Sequence, residues 1–155
     1  MSRFATTKSC CFFGHRDADA GIQSMLYAVA EKHITQYKGT TFYVGGYGDF
    51  DRMSVCILHE LKQKYPHIET IFVVAYLPTG KELEYDRHLY SETLYPEGLE
   101  TVPRRFAVTH RNRWMVEHSD YLIAYVRKGY GCARTAMRFA LKKGKQVINL
   151  YDCII

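Results

Sequence analysis

Short apolar runs alternate along this chain with longer segments in which apolar residues recur at helical spacing. The runs, rich in β-branched and aromatic residues, predict strands at 9–13, 41–44, 69–76, 121–126 and 146–150. The intervening segments predict helices at about 19–35, 51–64, 104–118 and 133–143. Strands that alternate with helices build parallel sheets. The pattern therefore predicts an α/β three-layer sandwich with a mainly parallel sheet of about five strands.

The last of these units, residues 121–150, is the most regular. Its strand ends just before Gly129 and Gly131, and the helix that follows ends at Lys142-Lys143-Gly144, a cationic last turn with a glycine stop. Such a glycine turn lies at the carboxyl end of its strand and opens a helix. Open α/β sheets bind ligands at this edge, because free N–H groups and the positive helix end point there.

Two earlier strands end in turns of the same kind. Gly14-His15-Arg16 follows the first strand, and the glycine-rich stretch 45–51 follows the second. Because the carboxyl ends of parallel strands share one edge, these turns are expected to meet in one cleft. Glycine N–H groups and arginines favour a phosphate, while an aspartate in such a turn caps its helix or accepts a ribose hydroxyl. The predicted ligand-binding residues are Gly14, His15, Arg16, Gly45, Gly46, Asp51, Arg111, Asn112, Gly129, Gly131 and Cys132.

Each of these residues also has a purely structural interpretation. Glycines end strands in every α/β protein, and His15 with Arg16 would also suit a surface pair. Arg111 would suit a solvated helix face, and Cys132 a buried, inert thiol. The coincidence of three polar glycine turns at equivalent strand ends favours a site. No catalytic or metal-binding motif is present in the sequence, so catalytic residues are not assigned and no metal or cofactor is predicted.

Composition sets the remaining bounds. With 155 residues, the chain is predicted to form a single domain over 1–155. The net charge of +5 comes from scattered Lys and Arg, and it fits a phosphate-bearing small ligand as easily as nucleic acid. The absence of a long basic run counts against DNA. Five cysteines without a C-x-x-C pair indicate reduced thiols, and no signal peptide or membrane-spanning run is present, so a cytoplasmic location is predicted. The oligomeric state is left open, with a homo-oligomer as one option.

Residues 81–100 are the least regular part of the chain. The segment is long for a connection between a strand and a helix. A short helix at about 83–94 and a role as a flap over the ligand edge are expected.

Three motifs in this order resemble one superfamily. They are GHR at 14–16, GGYGDFD at 45–51, and RNRWMVEHSDYLIAYV at 111–126 before the last glycine turn. Together they resemble the SLOG superfamily, near its small bacterial YpsA-like proteins, over residues 9–150. This resemblance implies a Rossmann-like fold that binds a nucleotide or a nucleotide-derived ligand. The superfamily also includes the DprA DNA-processing proteins and the Lonely-Guy phosphoribohydrolases.

The resemblance to the Lonely-Guy enzymes is partial. Arg111 is similar to their arginine before the last glycine turn, but their P-G-G-x-G-T-x-x-E motif is not matched, and Arg134 and Thr135 stand where its acidic residue would fall. Asp51 or Glu117 would have to replace that carboxylate for N-glycosidic hydrolysis. The predicted function is binding of a nucleotide or ADP-ribose-like ligand, as a sensor or accessory protein. The alternatives are a nucleoside monophosphate phosphoribohydrolase and a DprA-like binder of single-stranded DNA.

Overall fold

A parallel sheet forms the centre of the computed structural model, which describes residues 7–46, 48–77 and 87–153. Its strands, in chain order, are β1 Lys8–Gly14, β2 Gly39–Val44, β3 Glu69–Val73, β4 Glu92–Leu94, β5 Tyr121–Tyr125 and β6 Gln146–Asn149. The α-helices within the described residues are α1 Gln23–Thr35, α2 Gly48–Lys64, α3 Ala107–Glu117 and α4 Cys132–Lys142. All strand pairs are parallel, in the order β4-β3-β2-β1-β5-β6. The predicted Rossmann-like α/β fold is confirmed, and the described residues form six strands rather than about five.

Strand β1 lies at the centre of the sheet and is buried on both faces. Cys10 and Phe12 pack on one side against α1 and α2. Cys11 and Phe13 pack on the other side against α3 and α4. Because successive side chains of a strand point to opposite faces, a continuous apolar run is what a strand between two helical layers requires.

Two of the helices begin with a turn of 3-10 helix. Ala20–Ile22 precedes α1, and the Asp19 carboxylate accepts a hydrogen bond from the Gly21 N–H at 2.8 Å. Arg104–Phe106 precedes α3 in the same way. The predicted helices 19–35 and 104–118 therefore combine a tight first turn with a regular α-helix.

Strand β4 was not predicted. The helix expected at 83–94 is wrong at its end, because 92–94 pairs with β3, with Ile71 opposite Glu92. Residues 83–86 lie outside the described residues. A strand of three residues with two exposed side chains is too short to show a periodic pattern. β4 lies at the outer edge of the sheet. The role of 81–100 as a flap over the ligand edge stays a prediction, since 81–86 lie outside the described residues.

The strand order places a crevice beside β1. From β1 the chain proceeds through β2, β3 and β4 on one side, and then crosses to β5 on the other. The helices that follow β1 and β5, α1 and α4, therefore pack on opposite faces of the sheet. Open α/β sheets bind ligands at this kind of topological switch point. No helix in the described ranges is long and apolar enough to cross a bilayer.

Candidate functional site

A cavity of about 460 Å³ opens at the carboxyl edge of the sheet, beside the ends of β1 and β5. Its volume falls in the range of small-molecule sites, roughly 300–1,000 Å³. Most of the predicted ligand-binding residues line it, namely Gly14, His15, Arg16, Gly45, Asp51, Arg111, Asn112, Gly131 and Cys132. Gly46 and Gly129 are not part of its wall. We call this space the switch-point cavity. That its wall binds a ligand stays a prediction.

The imidazole of His15 joins the turns after β1 and β5. Its Nε2 accepts hydrogen bonds from the backbone N–H groups of Arg127 at 3.0 Å and Lys128 at 3.1 Å. Because both partners donate, Nε2 carries no proton and Nδ1 is the protonated nitrogen. Burial, together with the charges of Lys128 and Arg127, lowers the pKa of His15. The neutral ring thus fixes the shape of the cavity mouth, and Nδ1 makes no hydrogen bond with the described residues.

Asp17 adds an ionic contact across the same two turns. Its carboxylate lies 2.9 Å from the Arg127 Nη2 and 3.0 Å from the Lys128 Nζ. The hydrogen bond from Lys128 lowers the pKa of Asp17. Asp17 does not cap the helical segment that follows, because Asp19 accepts the hydrogen bond from the Gly21 N–H. Asp17 instead holds the β5 turn against the β1 turn.

Arg111 is buried in the cavity wall and links the ends of β2 and β3 by hydrogen bonds. Its Nη1 donates to the carbonyl oxygens of Gly45 and Val73, each at 2.9 Å, and its Nε donates to the Asn112 Oδ1 at 2.7 Å. These carbonyls belong to the residue after β2 and to the last residue of β3. Arg111 therefore has a structural task beside the predicted phosphate contact.

Asn112 is 93% buried and lies between two spaces. It lines the switch-point cavity and also a groove of about 310 Å³ between α3 and α4. Its Oδ1 accepts from Arg111, whereas its amide nitrogen makes no hydrogen bond with the described residues. Every fully buried polar side-chain atom of the described residues has a hydrogen-bond partner. Since this nitrogen has none, it is accessible from the cavity or the groove. It is thus a donor directed at whatever enters.

Helix α4 presents its N-terminus to the cavity. Gly131 precedes the helix with φ at +103° and provides no side-chain cap for the first N–H groups. A Cβ on Gly131 would meet no atom within 4 Å, so the backbone angle, rather than crowding, requires glycine here. An uncapped N-terminus attracts anions.

Gly46 serves packing instead of the switch-point cavity. It lines a separate space of about 190 Å³ near Tyr90. A Cβ at Gly46 would lie 2.5 Å from two atoms of the Phe72 ring, and φ is +81°. The backbone and the Phe72 ring thus explain this glycine without a ligand.

The two carboxylates proposed for catalysis are separated. Asp51 lies in the first turn of α2 and lines the switch-point cavity. Glu117 lies near the end of α3 and lines a different cavity together with His118. Cys132 is exposed, so its alternative interpretation as a buried, inert thiol is wrong. No cluster of three or more metal-ligating side chains occurs in the part of the chain that the structure describes.

Sequence reasoning missed several features around this site. Tyr130, 71% exposed between Gly129 and Gly131, and Tyr76 both line the switch-point cavity, as does Lys128. Arg134, Arg138 and Lys142 are spaced four residues apart on α4 and form a basic stripe, in which Arg138 and Lys142 are exposed and Arg134 is partly buried. The spacing of four residues was visible in the sequence, but no uninterrupted basic run marked it.

Sequence comparison finds one curated relative of similar length. The chain is 25% identical over 149 residues to the uncharacterized SPbeta prophage-derived protein YoqJ of Bacillus subtilis (strain 168). The match covers 84% of this chain and 87% of YoqJ. No protein-family model matches the chain.

Solved structures share the fold. DNA processing protein A (DprA) of Streptococcus pneumoniae matches with a TM-score of 0.67 and 13% identity, and DprA of Helicobacter pylori with 0.63 and 17%. These matches cover 91% and 92% of this chain, but only 49% and 64% of the respective DprA chains. The molybdenum cofactor carrier protein of Chlamydomonas reinhardtii matches with 0.54 and 15%, over 91% of this chain and 75% of that protein. At these identities the likeness concerns the fold.

Proposed function

We propose that the protein binds a nucleotide or a nucleotide-derived ligand in the switch-point cavity and acts as a sensor or accessory protein. The observation that carries this proposal is the position of the uncapped α4 N-terminus and the Arg16 side chain in the wall of one cavity at the switch point. Both favour a phosphate group, while Tyr76 and Tyr130 offer aromatic rings to a base. A SLOG-like relationship agrees with this function, and the carrier protein is named for a bound cofactor.

Arg16 is the sharpest point at which to test the proposal. Its side chain is exposed and forms no salt bridge with the described residues, so its loss should leave the fold intact. A charge-assisted contact contributes about 1.5–3 kcal/mol, so Arg16→Ala should weaken AMP binding roughly ten- to a hundredfold. Arg52→Ala, an exposed arginine of α2 outside this cavity, is the matched control. Isothermal titration of AMP measures both, and equal affinities of the two variants would contradict the assignment.

A second function, binding of single-stranded DNA, is favoured by the basic stripe of Arg134, Arg138 and Lys142. The stripe runs along α4 away from the cavity, and a structure of the H. pylori DprA is described by its single-stranded DNA binding mode. Binding through many phosphates depends steeply on salt, whereas one or two phosphate contacts do not. Titration of an oligonucleotide and of AMP at two salt concentrations separates the functions. Tight, salt-sensitive oligonucleotide binding that Arg138→Ala weakens, without AMP binding, would replace the first proposal.

A hydrolase is the remaining alternative, and Asp51 is its candidate carboxylate. Because the last glycine turn lacks an acidic residue, little or no base should be released from nucleoside monophosphates. Turnover that Asp51→Asn abolishes and Glu117→Gln leaves intact would establish the enzyme.

A further inference from the structure

Thiol chemistry in this protein is confined to three positions. Cys56, Cys132 and Cys153 are exposed, whereas Cys10 and Cys11 are buried in β1. Burial raises the pKa of Cys11 to about 12, and it raises the pKa of Cys10 as well. Because a thiol reacts through its thiolate, the two buried cysteines are inert at neutral pH. Of the three exposed thiols, Cys132 is the one that lines the switch-point cavity.

Cys132 lies where the switch-point cavity meets the groove between α3 and α4. It belongs to the walls of both spaces and is the first residue of α4. Its Sγ makes no hydrogen bond with the described residues, whereas the Sγ of Cys153 donates to the Asn149 carbonyl at 3.6 Å. A reagent that enters either space therefore meets an accessible sulfur without a hydrogen-bond partner in the described part of the chain.

The surroundings of Cys132 offer hydrogen-bond donors to an anion. Asn112 is 93% buried and lines the same two spaces, and its amide nitrogen has no partner among the described residues. The N–H groups in the first turn of α4 have no side-chain cap. Among the described residues that line the groove, Arg113 is the one with a charged side chain. Carboxylates are therefore favoured on a group that is held beside Cys132.

We propose that Cys132 is a site of reversible covalent modification by a small disulfide that carries carboxylates. The Cys132 thiolate attacks one sulfur of this disulfide, so that a bond forms between Sγ and that sulfur and the original S–S bond breaks. The departing thiolate takes up the proton that Cys132 has lost, and no further oxidant is consumed. The attached half lies in the groove, where its carboxylates accept from the α4 N-terminus and Asn112.

The modification also affects the neighbouring cavity. Because Cys132 lines the switch-point cavity as well as the groove, an attached group obstructs the cavity and lowers its affinity for AMP. The reaction at Cys132 does not depend on the proposed function, whereas this second effect rests on it.

The reaction is tested with oxidised glutathione, whose two halves are anionic. Peptide mapping by mass spectrometry gives the rate at each cysteine, so Cys56 and Cys153 are controls within the same molecule. We expect Cys132 to react at least about tenfold faster than either of them. Cystamine, a cationic disulfide, should show no such preference for Cys132. Equal glutathione rates at the three exposed cysteines, or the same preference for Cys132 with cystamine, would overturn the proposal.

Two variants test the contacts with the carboxylates. Arg113→Ala removes an exposed cation, and Asn112→Asp removes the amide donor but keeps an acceptor oxygen. Each should slow the reaction of Cys132 with oxidised glutathione and not that with cystamine, whereas a loss of structure would alter both. Arg52→Ala removes an exposed cation four residues before Cys56 and should leave the rate at Cys132 unchanged. A glutathione rate at Cys132 that neither of the first two variants lowers would overturn the assigned contacts.

The effect on AMP is measured in the double variant Cys56→Ser with Cys153→Ser. Cys132 is the one exposed thiol that it retains. Attached glutathione should weaken AMP binding at least about tenfold in isothermal titration, and dithiothreitol should restore it. An unchanged AMP affinity after modification would overturn the obstruction of the cavity. If neither form binds AMP, the proposed function is wrong, while the modification of Cys132 is still decided by the mapped rates.

Discussion

The guanidinium of Arg111 lies directly against the backbone of Gly45. Nη1 donates to the Gly45 carbonyl at 2.9 Å, and a Cβ built on Gly45 would lie 3.0 Å from the same nitrogen. A side chain at position 45 would thus push the guanidinium away from the strand ends that it joins. The glycine turn after β2 and the arginine of α3 are one structural unit.

Arg111→Ala should therefore destabilise the fold as well as affect binding. Hydrogen bonds to charged groups contribute about 1.5–3 kcal/mol, and the carbonyls of Gly45 and Val73 would lose a buried donor. We expect the free energy of unfolding to fall by at least about 2 kcal/mol, measured by urea denaturation. A lysine ammonium lacks the planar set of donors with which Arg111 reaches the Gly45 and Val73 carbonyls and the Asn112 Oδ1. Arg111→Lys should therefore recover only part of the lost free energy of unfolding.

The exposed Arg113 of the same helix provides the control for this change. Arg113→Ala should alter the free energy of unfolding by less than about 0.5 kcal/mol. If Arg111→Ala is as stable as Arg113→Ala, the hydrogen bonds from Arg111 to Gly45 and Val73 are not important for folding. A loss of nucleotide affinity in Arg111→Ala would then measure a contact with the ligand.

Three glycines form a graded series for backbone and packing effects. Gly129 has neither a positive φ nor a neighbour within 4 Å, Gly131 has only the positive φ, and Gly46 has both the positive φ and the Phe72 ring. Gly129→Ala should be nearly neutral, and Gly131→Ala should cost about 1–2 kcal/mol. Gly46→Ala should cost more than Gly131→Ala.

The double variant Gly46→Ala with Phe72→Leu isolates the steric part of that cost. Replacing the ring should relieve the clash and leave the backbone strain, so the two changes together should cost less than their sum. Chemical denaturation of the four proteins gives the coupling. Strict additivity would show that Phe72 does not restrict position 46.

The contact of His15 with Arg127 and Lys128 predicts a dependence of stability on pH. The folded-state pKa lies below the ordinary value of 6.5, so the unfolded chain binds the proton more readily. The stabilisation from neutral His15 is present above about pH 6.5 and declines as the pH falls from there towards the lower folded-state pKa. Burial also lowers the pKa of His33, which adds a contribution of the same sign.

His15→Gln separates the two histidines. Glutamine keeps an acceptor for the two N–H groups and does not titrate, while His33 is unchanged. The free energy of unfolding, measured between pH 5 and 7, should fall less steeply with decreasing pH in this variant. Identical slopes would assign the whole dependence to His33 and the other groups.

Tyr130 is predicted to stack on the base of a bound nucleotide. Its ring is 71% exposed at the cavity wall and makes no ring contact with the described residues. Stacking of a base on an aromatic ring contributes about 1–3 kcal/mol, so Tyr130→Ala should weaken AMP binding several-fold to about a hundredfold. Tyr130→Phe should retain the affinity. Ribose 5-phosphate, which has no base, should bind all three proteins equally, and a parallel loss for it would contradict stacking.

Elements marked by their own residues could be predicted from the sequence, whereas elements formed by contacts with distant residues could not. β1 and β5 could be recognised because burial on both faces demands continuous apolar runs. β4 could not, since Glu92 and Thr93 are exposed and its partner β3 alone makes it a strand.

In the candidate site, the prediction that the turns after β1, β2 and β5 lie at one edge followed from the parallel pairing of the strands. The different surroundings of the neighbours Gly45 and Gly46 did not, because Arg111 and Phe72 reach them from distant parts of the chain. For the same reason, no local pattern could show that His15 accepts from residues more than a hundred positions away.

The central position of β1 also determines the order in which the sheet can be completed. β1 pairs with β2, about 30 residues later, but its other neighbour β5 begins only at Tyr121. During synthesis, one edge of β1 and the apolar side of Cys11 and Phe13 stay uncovered until most of the chain has emerged. Such late, long-range pairing slows folding and exposes an unpaired strand to other chains. Truncation before β5 should therefore yield an aggregating fragment rather than a smaller folded protein.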